Sequence, residues 1–152
     1  MMSMTLRAEI AANPQVPMKI AVGLLRLSQA LPRPLQRLGT LALWLVCSAD
    51  IPARTLVGQG IRLPHGANGV VIHPSSTIGQ RVTINHRVTL AGAGHAAPTV
   101  EDDAFIGAGA VVIGGVTLGA GCRIGANAVV LTDIPPGATA VGVPARVVPS
   151  HD

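Results

Sequence analysis

Two glycine-rich segments hold the residue types best suited to chemistry. In residues 64–69, His65 stands between a proline and a glycine, and in residues 91–98, His95 follows Gly94. An imidazole takes up and releases a proton near neutral pH, and turns of this composition leave backbone amides exposed. The two segments are therefore the candidate functional loops of the chain.

Both loops interrupt a repeat of six residues. Aliphatic residues recur at this interval, at Ile72, Ile78, Ile84, Leu90, Val100, Ile106, Val112, Leu118, Ile124 and Val130. The step from Leu63 to Ile72 is nine residues, and the step from Leu90 to Val100 is ten. Tandem hexapeptides are typical of a parallel β-helix, in which three short strands close one coil and insertions emerge as loops. We therefore predict a β-helix over residues 50–148 that presents both loops.

Helical spacing replaces this repeat in residues 1–49. One helix is predicted over residues 17–31 and a second over residues 34–47, which together form a hairpin. The apolar positions that define the two faces are Ile20, Leu24, Leu27 and Leu31, then Leu35, Leu38, Leu41 or Ala42, and Leu45. We expect the hairpin to cap the β-helix and to offer an oligomer contact, and residues 149–152 to form a tail.

The composition limits the class of protein. The 152 residues allow one domain, and 49% hydrophobic against 12% charged residues excludes a disordered chain. With one Phe, one Trp and no Tyr, the core must consist of small and branched aliphatic side chains. The net charge of +4 comes from scattered arginines, which favours a small anionic ligand and no nucleic acid. Cys47 and Cys122 are predicted to be buried free thiols.

The N-terminal region shows no signal-peptide pattern. Its longest uncharged apolar stretch, residues 38–49, is about 12 residues long against the ~20 that a spanning helix needs. These features predict a cytoplasmic protein. Contact of the second helix with a membrane surface stays as an alternative, because Leu41, Trp44 and Val46 leave that helix little polar surface.

Five stretches together resemble the left-handed β-helix hexapeptide acyltransferases, and within them a short form of the serine acetyltransferase branch. They are residues 50–52, 58–65, 84–94, 106–110 and 142–146. The resemblance implies a mainly β fold, a left-handed parallel β-helix with a short N-terminal helical hairpin. It also implies an acetyl-CoA-dependent O-acetyltransferase without a metal, and a homotrimer whose active site lies between subunits.

The resemblance further implies roles for single residues. His65 is the general base, and Asp50, fifteen residues earlier, is the partner that stabilises its imidazolium form. The backbone amides of Gly92 and Gly94 hold the oxyanion. The residues implied to bind acetyl-CoA are Gly107, Ala108 and Ala126, with Arg123 and Arg146 near its phosphates.

The chain departs from that branch around the acceptor. Pro64 replaces the family's Asp before the catalytic histidine, and Ala96 and Ala97 stand where the family has Arg-His. Without that Arg, a free amino acid's carboxylate has no clamp. We therefore predict that the acceptor is a sugar, polysaccharide or secondary-metabolite hydroxyl, which His95 and Pro64 contact, with L-serine as the alternative acceptor.

Two other function classes are alternatives to the acetyltransferase. A metal enzyme on the same scaffold is disfavoured, since successive histidines from His65 to His95 are eight, thirteen and nine residues apart, unlike closely paired ligands. A non-catalytic β-helix scaffold stays as a second alternative. We predict that His86 lies at a subunit contact and His73 on the coil surface.

Overall fold

The structure is a computed structural model that describes residues 4–11, 13, 15–94 and 96–149. In this part of the chain, three helices come first: α1 (Met4–Ala11), α2 (Val16–Ala30) and α3 (Gln36–Cys47), with a 3-10 turn (Arg33–Leu35) before α3. Pro17 lies in the first turn of α2, where its missing N–H is not needed. Helices α2 and α3 confirm the predicted hairpin, whereas α1 was not predicted.

Short strands follow the helices. Those in the described residues are β1 (Leu56–Val57), β2 (Val71–Ile72), β3 (Thr77–Ile78), β4 (Thr83–Ile84), β5 (Thr89–Ala91), β6 (Thr99–Val100), β7 (Phe105–Ile106), β8 (Val111–Ile113), β9 (Thr117–Leu118), β10 (Arg123–Ile124), β11 (Val129–Val130), β12 (Thr139–Val141) and β13 (Arg146–Val148). Their length of two or three residues is what a six-residue repeat allows once each turn is subtracted.

Three sheets form the sides of a coil. We call them face A (β2, β5, β8, β11), face B (β1, β3, β6, β9) and face C (β4, β7, β10, β12, β13). Neighbouring strands run parallel, except that β12 and β13 are antiparallel. The chain passes from A to B to C in each circuit, so Ile106 lies beside Ile124 eighteen residues later. The predicted parallel β-helix is confirmed.

The repeat positions fill the interior of the coil. All ten aliphatic residues of the hexapeptide register are at most 2% exposed. On face C, Ile84, Ile106 and Ile124 stack through the strand register. Since full burial of one such side chain contributes roughly 1.5–3 kcal/mol, these columns take the place of an aromatic core.

The helices bury a face that only partly matches the predicted one: of the predicted α2 stripe, Leu24 is half-buried against the core. Ile20 and Leu27 are 44% and 58% exposed, while the neighbouring Ala21, Val22 and Leu25 are fully buried. In α3 the buried apolar residues are Leu43 and Cys47, and the predicted stripe of Leu35, Leu38, Leu41 and Leu45 is exposed. No helix in the described residues combines the length and apolar character needed to cross a bilayer.

Small residues explain this choice of face. A Cβ atom added at Gly39 of α3 would lie 2.6 Å from Ser28 Cα on α2. The two helices therefore cross at a distance that only a glycine permits, and this crossing turns the larger leucines outward.

Two matched glycine substitutions test the helix crossing. Gly39→Ala should lower the free energy of unfolding by about 1–3 kcal/mol, because the added methyl overlaps Ser28. At Gly23 in α2, no atom lies within 4 Å of the methyl that an alanine would add. Gly23→Ala should therefore raise the free energy of unfolding by up to about 1 kcal/mol, because alanine has the higher helix propensity. Urea unfolding measures both, and shifts of the same sign would contradict the crossing.

Polar side chains attach the helices to the first coil. Glu9, only 6% exposed, pairs with Arg26 at 2.6 Å and accepts hydrogen bonds from the N–H groups of Gly60 and Ile61. Asn13, fully buried, donates to the Ile61 carbonyl at 3.0 Å. Without side chains in these roles, the first coil would leave its backbone groups unpaired beneath the helices.

Both cysteines are buried free thiols, as predicted. Burial, and to a lesser extent the nearby Glu101 charge, raises the pKa of Cys122 to about 11. Burial also raises the pKa of Cys47. Because the folded state holds the thiol proton more tightly, these shifts contribute stability below about pH 9.0, the ordinary thiol pKa, and the Cys122 contribution is lost as the pH rises towards 11.

Alkylation kinetics test this burial. Iodoacetamide at mildly alkaline pH should modify Cys47 before Cys122, since Cys47 is 8% exposed and lines a pocket, whereas Cys122 is fully buried. Both should react at the same fast rate once the chain is unfolded, because only the thiolate is nucleophilic. Modification of native Cys122 at the rate of the unfolded chain would contradict the predicted protection.

Candidate active site

The first loop carries His65 at one edge of the β-helix. We call the turns from face C to face A edge CA, and the turns from face A to face B edge AB. At edge CA of the first coil, the chain leaves face C at Arg62, which pairs with Thr83, and forms a 3-10 segment, Pro64–Ala67. His65 has φ 57° and ψ 25° there, a backbone conformation that histidine tolerates better than most residues. Its imidazole is exposed.

His86 lies directly below His65 on the same edge. The two rings meet edge to face, with centroids 4.9 Å apart and an interplanar angle of 85°. His86 Nδ1 is buried and has no hydrogen-bond partner among the described residues. A buried ring nitrogen without a partner is unusual in folded proteins. The subunit contact of His86 stays a prediction.

The small residues implied for acetyl-CoA binding continue along edge CA. The Gly109 N–H donates to the His86 carbonyl at 3.0 Å, and the Asn127 N–H donates to the Ala108 carbonyl at 2.8 Å. His86, Ala108 and Ala126 therefore occupy equivalent positions in successive coils. Ala108 is half-buried and Ala126 exposed, so below the two histidines the edge carries only methyl side chains at these two positions.

Gly107 serves the stacking of these coils. A Cβ atom at this position would lie 2.7 Å from the Ala126 nitrogen and 2.7 Å from the Ile124 oxygen in the next coil. Such a separation is too short for any side chain. Gly107 therefore keeps the coils at hydrogen-bonding distance beside Ala108, whatever the edge binds.

Asp50 lies beside the loop of His65 without contacting it. Its N–H donates to the Val70 carbonyl at 2.8 Å and its carbonyl accepts from Ile72, which places it at the start of face A. Its side chain is exposed. In the described residues, no hydrogen bond or ion pair joins the Asp50 carboxylate to His65. The predicted pairing stays a prediction.

The second loop emerges at edge AB, on the other side of face A. Gly92 and Gly94 follow β5, and Ala93 and Ala96 exchange backbone hydrogen bonds of 2.9 and 3.1 Å that close the loop. His95 lies outside the described residues. The strands of face A run from edge CA to edge AB. Within one chain, the amides of Gly92 and Gly94 and the imidazole of His65 therefore lie at opposite edges of that face.

The two predicted phosphate ligands have other contacts. The Arg123 guanidinium lies over the Phe105 ring, 4.7 Å from its centroid. Arg146 Nη1 donates to the Ala145 carbonyl at 2.8 Å. Neither arginine has an acidic partner within the described residues, so both charges are available to an anion. In the same residues, no group of three or more His, Cys, Asp or Glu side chains could hold a metal.

A pocket of about 260 Å³ adjoins the imidazole. The residues that line it are Pro17, Ile20, Val46, Cys47, His65, Gly66 and Asn68. Apart from the imidazole and one amide, this lining is apolar and contains no charged side chain. An acceptor held here would be recognised by shape and neutral hydrogen bonds.

Comparison with known proteins agrees with this architecture. The family model described as bacterial transferase hexapeptide (six repeats) matches residues 97–132. Serine acetyltransferase of Mycobacterium tuberculosis is 44% identical over 108 residues, 68% of this chain and 47% of that protein. Serine acetyltransferase of Helicobacter pylori is 47% identical over 107 residues, 68% of this chain and 62% of that protein.

Solved structures of serine acetyltransferases are similar to this chain across both the helices and the coil. Soybean serine acetyltransferase complexed with serine superposes with a TM-score of 0.85 at 32% identity, over 96% of this chain and 70% of that one. A serine acetyltransferase complexed with CoA superposes with a TM-score of 0.82 at 33% identity, over 89% of this chain and 58% of that one.

The fold and these relatives define a hexapeptide-repeat acyltransferase. The chain belongs to the serine acetyltransferase type of that family. It spans about half the length of the curated relatives it matches, 47% and 38% for the first two.

Proposed function

We propose that this chain is an acetyl-CoA-dependent O-acetyltransferase in which His65 is the general base. The observation that carries the proposal is the exposed imidazole of His65, held on a 3-10 loop above an edge of small residues in a coil of the serine acetyltransferase type. Acetyl-CoA supplies the activated acetyl thioester. The chain supplies a base, a set of backbone donors and an acceptor pocket.

The proton transfers follow from the position of His65. The imidazole takes the proton of the acceptor hydroxyl as its oxygen bonds to the thioester carbonyl carbon. The imidazolium then returns that proton to the departing CoA sulfur as the carbon–sulfur bond breaks. Asp50 is proposed to stabilise the imidazolium between these steps through its exposed carboxylate.

Edge CA is proposed to hold the CoA moiety. Ala108 and Ala126 leave room for the pantetheine arm against the backbone, and Arg123 and Arg146 carry charges that suit its phosphates. The fit rests on the open, small-residue edge and on the absence of acidic partners for either arginine within the described residues. CoA binding by calorimetry tests it, and a chain that binds no CoA would support the scaffold alternative.

We propose a homotrimer because the site is incomplete in one chain. Gly92 and Gly94 emerge at edge AB, across face A from His65, so a neighbouring copy must supply these amides if they hold the oxyanion. Light scattering measures the mass directly. A monomer at assay concentration would remove this part of the proposal. A cytoplasmic location of the protein also stays a prediction.

Two acceptors are proposed, in order. L-serine comes first, since the relatives are named serine acetyltransferase, and these comparisons favour it over our predicted sugar hydroxyl. A sugar hydroxyl comes second, on one observation: no charged residue lines the His65 pocket to hold a zwitterion. Release of the CoA thiol measured with L-serine and with a panel of free sugars separates them. Turnover of sugars without serine would reverse the order.

The contact between His86 and His65 predicts a positioning role. His86→Ala should lower kcat by roughly 10-fold to 100-fold with little change in KM, because the His65 ring loses the neighbour that orients it. His86→Phe keeps a ring in place and should retain most of kcat. An equal loss in both variants would show that the His86 nitrogen, and not ring packing, is what matters.

A further inference from the structure

A second pocket, of about 390 Å³, lies where the helices meet the first coil. The residues that line it are Arg33, Gln36, Arg37, Thr40, Pro52, Ala53 and Arg54. Three of these seven are arginines, and they come from two separate parts of the chain: the 3-10 turn with the start of α3, and the first turn at edge AB. Neither the proposed acyl transfer nor the acetyl-CoA edge involves this pocket.

The walls of the pocket are fixed by hydrogen bonds. The Ala53 N–H donates to Thr40 Oγ1 at 3.3 Å, which ties the first turn of the coil to α3. The Thr40 hydroxyl donates to the Gln36 carbonyl at 3.3 Å. The two segments that carry the arginines are therefore held together, and the positive charges share one pocket as a consequence of the fold.

The described residues offer no anion to these arginines. Glu9 and Asp103 pair with other arginines, and Glu101, Asp102 and Asp133 accept hydrogen bonds from backbone N–H groups elsewhere on the coil. Within the described residues, the carboxylate of Asp50 makes no ion pair with Arg33, Arg37 or Arg54. Three like charges around one pocket repel each other unless an anion joins them.

We propose that this pocket binds a phosphate-bearing anion. Guanidinium groups match phosphate oxygens through paired N–H donors, and two or three of them around one cavity suit a doubly charged phosphate ester or a pyrophosphate. The Gln36 and Thr40 side chains provide further neutral hydrogen-bonding groups at the wall. The same headgroup chemistry could reach the pocket as a free phosphate compound or on an anionic lipid.

Calorimetry with inorganic pyrophosphate tests the site on the full chain. Wild-type protein should bind one pyrophosphate per chain. Arg37→Gln and Arg54→Gln should each weaken binding by about tenfold or more, since each removes a charge-assisted hydrogen bond. Arg62→Gln is the matched control: it removes one exposed arginine on face C, away from edge AB, and should leave the affinity within about twofold.

Vesicles distinguish the two sources of phosphate. If the ligand is a lipid headgroup, the chain should sediment with phosphatidylcholine vesicles that contain phosphatidic acid, and pyrophosphate should release it; if it is a free compound, only pyrophosphate binds. Arg37→Gln and Arg54→Gln must weaken whichever binding is seen. No saturable binding of either probe, or binding unchanged in both variants, would overturn the proposal, and acetyl transfer measured in the same samples reports separately on His65.

Discussion

His65→Asn is expected to lower kcat for acetyl transfer by about 10²–10⁴-fold, the usual contribution of a general base. Asparagine is chosen because it tolerates the left-handed backbone at this position, where φ is 57°. Its amide has no proton-accepting nitrogen near neutral pH, so the acceptor hydroxyl keeps its proton. The loss should fall on kcat, with CoA affinity unchanged, since the CoA edge lies below the loop.

The control for this variant is Arg81→Asn. Arg81 also has a left-handed backbone, with φ 56°, but it lies on the turn from face B to face C, and its side chain is 51% exposed. This replacement should leave turnover near the wild-type rate. Thermal unfolding should be alike for both variants. A His65→Asn enzyme within a few-fold of wild type would remove the general-base proposal.

The β-helix was predictable because its signal is local and repeated. Each hexapeptide places one aliphatic residue inward, so a register read along the sequence already identifies the buried set, from Ile72 to Val130. The nine-residue and ten-residue steps likewise place the two loops at coil edges. Long-range contacts were not needed for either conclusion.

The helical face was not predictable in the same way. Residues 38–47 of α3 carry no charge, so apolar residues lie on every side and periodicity cannot choose among them. The buried face of α3 is determined by the close approach of Gly39 to Ser28, which is a contact between two helices. Exposed leucines on α3 are the consequence.

The ring contact between His65 and His86 could have been predicted from the strand register. Arg62 pairs with Thr83, an offset of twenty-one residues, and the same offset carries His65 to His86. This interval is one circuit of eighteen residues lengthened by the three inserted at the first loop. In contrast, the Glu9 and Asn13 contacts join residues about fifty positions apart, and no repeat connects them.

The buried ion pair of Glu9 and Arg26 predicts the largest effect on stability. Glu9→Gln should lower the free energy of unfolding by about 3 kcal/mol, because Arg26 keeps a poorly solvated charge without its counter-ion. Glutamine retains an oxygen for the Gly60 and Ile61 N–H groups, so the substitution isolates the charge from the backbone contacts. Urea unfolding followed by circular dichroism measures the change.

A double-mutant cycle decides whether the pair acts as a unit. Arg26→Met should also be destabilising, but the double variant should lose less than the sum of the two single losses, since no unpaired charge then remains. The control is Asp103→Asn, which breaks an ion pair with Arg81 whose side chains are 54% and 51% exposed and should cause no resolvable change. Strict additivity of the two buried variants would show that the helices are held by packing alone. Asn13, two residues after the end of α1, accepts a hydrogen bond from the Leu63 N–H beside the His65 loop. A loosened α1 should therefore also lower turnover in Glu9→Gln before the coil itself unfolds.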